Sequence, residues 1–357
     1  MSNEQNINVE IENAATSREL AELIPMHWDA KPRPQPVMVW GDSGIGKSDL
    51  AHQLAVKTKR KPIMFMLNVR EPVDMRGVPM VDPKTKTTMW CTPSELPKAD
   101  GSDGDTLLIL DEINTGGVQM LAVAMQLVLA GEIGDYRLPS NCRILAMGNR
   151  SKDSRAVVQM PKPLRNRFAH YTMVVDHDSL IEHLKRVNCR DEIVAFIRFR
   201  PDCVTRQPKG DANAYGSPRS VHRCESYVDA RPRLRLKAFS AMIGKDDGTE
   251  LEAFVAMYQS LTSIADILAN PTTAKLPSER SEMYAVATAL GRLADKKNFQ
   301  NIVTYAKRLG AVNRDMEVLI VTDATDRDQK LCETSAYAKW AVDNQDVTLR
   351  HFDKVQS

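Results

Sequence analysis

Two hydrophobic patterns divide the chain. Between residues 36 and 175, short apolar runs of four to six residues recur at 37–40, 63–68, 107–110, 143–147 and 171–175. They are nearly continuous rather than alternating, which is the pattern of strands buried on both faces of a parallel sheet. Stretches of helical spacing separate them, and strands alternating with helices predict a three-layer α/β arrangement. Beyond residue 176 the strand pattern stops. Residues 179–187, 191–199, 218–230, 234–243 and 250–268 carry the apolar spacing of helices, the last with the widest stripe. A linker at 270–277 leads to further helices at 278–294, 299–309, 315–323 and 335–344. Ahead of the first strand, residues 1–30 form a polar lead with a short helix at 17–24, and the prolines of 31–35 mark the entry to the sheet. No repeat or low-complexity tract is present.

Candidate chemistry falls where strands end. The octapeptide Gly41-Asp42-Ser43-Gly44-Ile45-Gly46-Lys47-Ser48 fits the phosphate-loop pattern and lies between the predicted strand 37–40 and a predicted helix, the context that motif requires. Glycines let the backbone curl so that its N–H groups face inward and, with the positive end of the helix, cradle an anion. In such a loop Lys47 reaches the β- and γ-phosphates and the Ser48 hydroxyl ligates Mg²⁺.

Asp111 and Glu112 end the apolar run Leu107-Leu108-Ile109-Leu110, 64 positions after Lys47. Ligands of parallel sheets bind at the carboxyl ends of strands. There Asp111 can hold Mg²⁺ and Glu112 can act as the base that polarises an attacking water. Taken alone, the pair reads equally well as a solvated cap of the next helix. Asn149 closes the strand that contains Cys142-Arg143-Ile144-Leu145-Ala146-Met147, where a neutral amide can bond both water and phosphate. The competing role is a turn asparagine.

Taken together, the motifs resemble the MoxR-type branch of the AAA+ ATPases, and most closely a bacterial and phage-borne subgroup. A Gly-Asp-Tyr-x-Leu-Pro stretch precedes the sensor asparagine in that subgroup and stands here as Gly134-Asp135-Tyr136-Arg137-Leu138-Pro139. The pattern Met-Pro-x-x-Leu-x-Asn-Arg-Phe appears as Met160-Pro161-Lys162-Pro163-Leu164-Arg165-Asn166-Arg167-Phe168. Resemblance continues through Ile197-Arg198-Phe199-Arg200-Pro201 and Ser217-Pro218-Arg219, and more weakly to Asp343, so it covers nearly the whole chain.

The resemblance implies an AAA+ P-loop NTPase core whose five-stranded parallel sheet has the order 5-1-4-3-2, followed by an all-α lid and a C-terminal helical extension. The corresponding domains are a lead at 1–30, the nucleotide-binding α/β domain at 31–176, the lid at 177–269 and the extension at 270–357. It makes Arg167 the arginine finger and Arg219 the second sensor, beside the catalytic Glu112 and Asn149. Relatives often carry Ala or Ser within the stretch Lys162-Pro163-Leu164-Arg165, so the finger assignment stays open between Arg165 and Arg167; Arg150 and Arg155 are further interface candidates. A finger of this kind serves a neighbouring subunit, which implies a homo-oligomeric ring, expected as a hexamer. Family members are often encoded beside a protein carrying a von Willebrand A domain, the implied client or adaptor.

The same resemblance places a helix interrupted by a pore-facing hairpin at 71–97 and a second hairpin at 131–140. Trp90 and Met80 are then either grips for a client or packing beneath the hairpin. Asn68 is either a partner that restrains Glu112 or a strand-end cap.

Composition sets the remaining limits. Hydrophobic residues make up 43% and charged residues 26%, an ordinary balance for a globular protein. Net charge is +2, 48 basic against 46 acidic residues, which demands no nucleic acid. The basic stretch 57–61 reads as a solvated helix end. Cysteines at 91, 142, 189, 203, 224 and 332 form no Cys-x-x-Cys pair, which argues against zinc, and Cys142 suits a reduced cytosolic thiol. The polar amino terminus shows no signal-peptide pattern, and the most apolar helix, 118–130, is too short to span a bilayer. The expected protein is a cytoplasmic Mg²⁺- and ATP-dependent ring ATPase that remodels protein partners. Its alternatives are a motor or specificity subunit acting on nucleic acid and a nucleotide-dependent scaffold with weak turnover.

Overall fold

The computed structural model describes residues 13–149, 158–206, 213–261 and 264–348. The chain divides into two compact units, one ending at Ser179 and the other beginning at Leu180.

Among the described residues ten strands lie in the first unit: β1 (Ala14–Ala15), β2 (Val37–Trp40), β3 (Lys61–Met66), β4 (Val78–Val81), β5 (Thr88–Cys91), β6 (Thr106–Asp111), β7 (Glu132–Ile133), β8 (Tyr136–Arg137), β9 (Cys142–Gly148) and β10 (Ala169–Met173). Six of them form one sheet in the order β1-β10-β2-β9-β6-β3, with every pair parallel. The expected five-stranded sheet of order 5-1-4-3-2 is therefore corrected to six strands. The additional strand, Ala14–Ala15, lies in the predicted polar lead and pairs with Thr172 and Met173 at the β10 edge. Two residues are too few to leave a periodicity in the sequence.

The sheet is buried on both faces, and its side chains alternate between two cores. Met38, Leu108, Leu110, Ile144 and Ala146 pack on one side with Met120, Leu121, Ala124 and Leu127 of the helix Gly117–Ala130. Val37, Val39, Leu107, Ile109, Leu145 and Met147 pack on the other side with the helices Ser17–Trp28 and Lys47–Lys57. The alternation is the period-2 geometry of a strand, so a one-residue slip of β6 would exchange its two core faces. The helix Ser17–Trp28 runs past the predicted end at 24 because Leu20, Ile24 and Trp28 form one buried stripe, and a Thr16–Glu19 capping box fixes its start.

Two antiparallel hairpins leave this frame. β4 and β5 follow the short helix Pro72–Arg76, and β7 and β8 precede β9. Both occupy the stretches where hairpins were expected.

Among the described residues the second unit is helical. It contains most of His177–Arg186, then Asp191–Phe199, Pro218–Arg223, Pro232–Ile243, Lys245–Gln259, Ile264–Ala269, Arg280–Leu293, Phe299–Gly310, Arg314–Arg327 and Ser335–Asp343. The single helix expected over 250–268 is two, the first starting at Lys245 and capped by Ser260. The helix expected over 218–230 ends at Arg223 and continues as a 3-10 turn, Cys224–Tyr227. An ion triad around the buried Asp323 joins three helices: Asp323 accepts from both Arg198 terminal nitrogens at 2.6 and 2.7 Å and pairs with Lys185, both cations being partly buried. Burial alone would raise the Asp323 carboxyl, but the Arg198 and Lys185 cations hold it below the usual aspartate value.

Candidate functional site

The phosphate-loop octapeptide connects β2 to the helix Lys47–Lys57. Gly44 and Gly46 have φ of 81° and 106°, a region that a residue with a Cβ rarely adopts. Gly46 stands at the helix N-cap without a side-chain cap, so the first N–H groups of an 11-residue helix are left for a ligand. The residues of the loop thus fit a phosphate group.

Lys47 is the best-defined group in the site. Only 7% exposed, it donates from Nζ to Gly41 O at 2.8 Å, to Asp42 O at 3.0 Å and to Asn149 Oδ1 at 2.7 Å. Parallel pairing of β2 with β9 brings Asn149 there: Trp40 is opposite Gly148, so both strands end together. Gly148 itself admits no side chain, since a Cβ would meet Asn114 Oδ1 at 2.6 Å.

The Asn149 amide turns its other end toward Glu112. Nδ2 donates to Oε1 at 2.9 Å and to Oε2 at 3.0 Å. Glu112 has φ of 53°, a strained value for a residue with a Cβ and of the kind that clusters at functional sites. Its backbone N–H caps the Asp111 carboxylate at 2.9 Å. Asp111 is buried, and burial pushes its carboxyl above the ordinary range. The neighbouring Glu112 charge pushes the same way, against the Glu112 N–H, the Lys47 cation and a hydrogen bond with Ser48. Ser48 and Asp111 are therefore adjacent hard-oxygen donors, the type that Mg²⁺ takes. Among the described residues, the Glu112 carboxylate meets Asn149 and the Thr115 hydroxyl, not Asn68, which is exposed in the 3-10 turn Leu67–Val69.

One positioning residue escaped the sequence reading. Asn114, 3% exposed, donates to Asn149 O at 2.6 Å and accepts from Asn149 N at 3.2 Å, clamping the main chain that carries the amide. Its backbone oxygen also accepts from Val158 N at 2.7 Å. Two places after Glu112, it resembles any turn asparagine; only the fold brings it to β9.

Solved structures of low similarity include one from Cytophaga hutchinsonii and one from Thermotoga maritima. A candidate ATPase of Cytophaga hutchinsonii is 14% identical, covering 71% of this chain and 84% of that one, with a TM-score of 0.37. The RuvB Holliday junction branch migration motor of Thermotoga maritima is 17% identical, covering 77% and 80%, with a TM-score of 0.40. No family model matches the chain, and no curated protein matches it.

The arginines lie elsewhere. Arg167 is exposed just before β10, whose Ala169 pairs with Val37 at the start of β2. The phosphate loop leaves the other end of β2, so a four-residue strand, about 13 Å long, separates the two levels. Arg167 lines a cavity of about 450 Å³ at the amino-terminal edge of the sheet, with Trp28, Arg33 and Arg143. Arg165 is also exposed, and its backbone oxygen bonds the His170 ring. Arg219 is exposed on the helix Pro218–Arg223 of the second unit, whose start is capped by Ser217. Arg150 and Arg155 lie outside the described residues.

The hairpin residues separate into two roles. Trp90 packs beneath: the Arg76 guanidinium stands 4.2 Å over its ring, and the Trp90 backbone N–H donates to the Asp135 carboxylate of the second hairpin at 3.0 Å. Met80 is 55% exposed. Among the described residues no helix is long and apolar enough to cross a membrane.

Proposed function

We propose that this chain is a Mg²⁺-dependent ATP hydrolase of the AAA+ type, assembling as a homo-oligomeric ring, a hexamer, that remodels or activates protein partners in the manner of MoxR-type chaperones. The observation that carries the reading is the chain Lys47–Asn149–Glu112, set beside the Ser48–Asp111 pair. It joins a buried cation, a neutral bridging amide and a strained carboxylate at the mouth of a phosphate loop. In this reading Gly41, Asp42, Ser43, Gly44, Ile45, Gly46 and Lys47 bind the triphosphate, and Ser48 and Asp111 hold Mg²⁺. The metal would supply charge neutralisation on the phosphate oxygens.

Glu112 takes the proton of the attacking water, and Asn149 orients that carboxylate while touching the cation that binds phosphate. Arg167 supplies positive charge to a neighbouring subunit's site, since its own loop lies at the far end of the strands. The domains proposed are residues 31–176 for nucleotide, 177–269 as lid with Arg219, and 270–357 as extension. The exposed β4–β5 ribbon, with Met80, is the surface offered to a protein client, a von Willebrand A domain partner included. The decisive experiment measures Mg²⁺-ATP binding and turnover in the parent and in Glu112→Gln. Retained binding with lost turnover supports the reading, and absent binding in the parent overturns it.

A further inference from the structure

Among the described residues outside the phosphate-loop site, one cluster has the composition of a metal centre. Cys189 Sγ, a His222 ring nitrogen and a Glu225 carboxylate oxygen all lie within 4.8 Å of one another. All three residues belong to the second unit. Cys189 is 3% exposed, in the turn between the helices His177–Arg186 and Asp191–Phe199. His222 and Glu225 are three positions apart on the run formed by the helix Pro218–Arg223 and the 3-10 turn Cys224–Tyr227, so they share a face. Thiolate, imidazole and carboxylate make a mixed donor set that suits zinc and excludes Mg²⁺, which takes oxygen ligands.

We propose that Cys189, His222 and Glu225 bind a zinc-type divalent cation, with solvent as the fourth ligand. The spacing agrees with that ion. His222 Nε2 and Glu225 Oε1 are 3.2 Å apart. Two ligands about 2.0–2.1 Å from a tetrahedral ion stand about 3.3 Å apart, and a thiolate at about 2.3 Å stands about 3.6 Å from either. The sulfur, within 4.8 Å of the other two donors, thus needs to close at most about 1.2 Å, within reach of a rotamer adjustment.

The surroundings are built to hold the ligands. The Arg190 backbone N–H donates to Glu225 Oε2 at 3.3 Å, while Oε1 is paired with His222 Nε2, a contact that the ion would replace. Such outer bonds orient ligating carboxylates. The Arg190 guanidinium is bound by Glu192 and Asp229, so its charge is already balanced. The Cys189 N–H is fixed to Leu184 O at 2.9 Å. His222 and Glu225 are about one-third exposed, which supplies an entry path. The site pins the helix that also carries Arg219, three residues before His222. The pattern was invisible as a motif because His222 lies 33 positions after Cys189.

The test uses the full chain, stripped with a chelator and titrated with Co²⁺. One equivalent should produce a near-ultraviolet thiolate-to-cobalt band, which an equivalent of zinc then abolishes. Cys189→Ser should lose the band, and His222→Gln and Glu225→Gln should weaken Co²⁺ binding at least ~10-fold. If Cys189→Ser does not fold by circular dichroism, Glu225→Gln, at a residue only about one-third exposed, carries the test alone. Zinc should raise the thermal midpoint of the parent but not that of Cys189→Ser. Absence of a thiolate band in the parent overturns the site, as does a band that survives in Cys189→Ser or unchanged affinity in Glu225→Gln. None of these readouts requires ATP turnover, so failure here leaves the nucleotide reading standing.

Discussion

The Asn149 side chain spans from the Glu112 carboxylate to the Lys47 ammonium, donating to the first at 2.9 and 3.0 Å and accepting from the second at 2.7 Å. One neutral amide satisfies an anion and a cation that would otherwise collapse onto each other. Asn149→Asp keeps an acceptor for Lys47 but sets a second negative charge against Glu112. Turnover should fall at least ~10²-fold, the scale of losing one preorganised donor. ATP affinity should change far less, because Lys47 retains Gly41 O and Asp42 O. Calorimetry and single-turnover hydrolysis on the same preparation separate the two, and equal losses in both would refute the bridging role.

Binding and chemistry should divide between Lys47 and Glu112. Lys47→Ala removes a charged donor and should cost about 1.5–3 kcal/mol of ATP binding. Glu112→Gln retains an acceptor for the Asn149 amide, so geometry survives while turnover drops at least ~10²-fold. Steady-state ATPase assays with measured Kd values check both, and undiminished turnover in Glu112→Gln removes it as the base.

Arg167 is tested by mixing. Arg167→Ala should leave nucleotide affinity largely intact and cut hydrolysis by ~10³-fold or more. Glu112→Gln subunits keep the arginine, and Arg167→Ala subunits keep the base. Co-assembled rings should contain some sites with both, so activity should exceed the sum of the separate mutants. Mixed rings that form and recover nothing would rule out action between subunits; the same series with Arg165→Ala decides between the two arginines.

The second unit supplies a stability test independent of nucleotide. Asp323→Asn leaves the partly buried Arg198 and Lys185 facing a neutral amide, and should destabilise this unit by about 3–5 kcal/mol. The sign with pH follows from the lowered Asp323 carboxyl. Its contribution is present above the unfolded aspartate value of 3.8 and is lost as pH falls from there through the lower folded value. Denaturant unfolding of the parent should weaken on acidification through that window, and this component of the loss should be missing in Asp323→Asn.

The sequence exposed those parts of the molecule whose causes are local. β2, the glycine loop and its helix are contiguous, and Leu107 to Glu112 carries both a buried strand and its terminal acids. What stayed hidden depends on pairing between distant segments. Ala14–Ala15 is a strand only because β10 offers an edge, and Asn114 matters only because Gly148 lets it approach β9. Of the two readings of Asn68, the restraint of Glu112 has no contact behind it: Asn68 is exposed after β3, while the left-handed turn at Glu112 aims its carboxylate at β9.

The placement of Arg167 and Lys47 at opposite ends of adjacent strands has a kinetic corollary under the proposed reading. No single chain holds a complete reactive centre, so competence belongs to the contact between copies and obeys mass action. Turnover per subunit should not be constant: dilution below the assembly constant should silence the protein while each monomer still takes up ATP, and restoring the concentration should revive it without any change in the nucleotide.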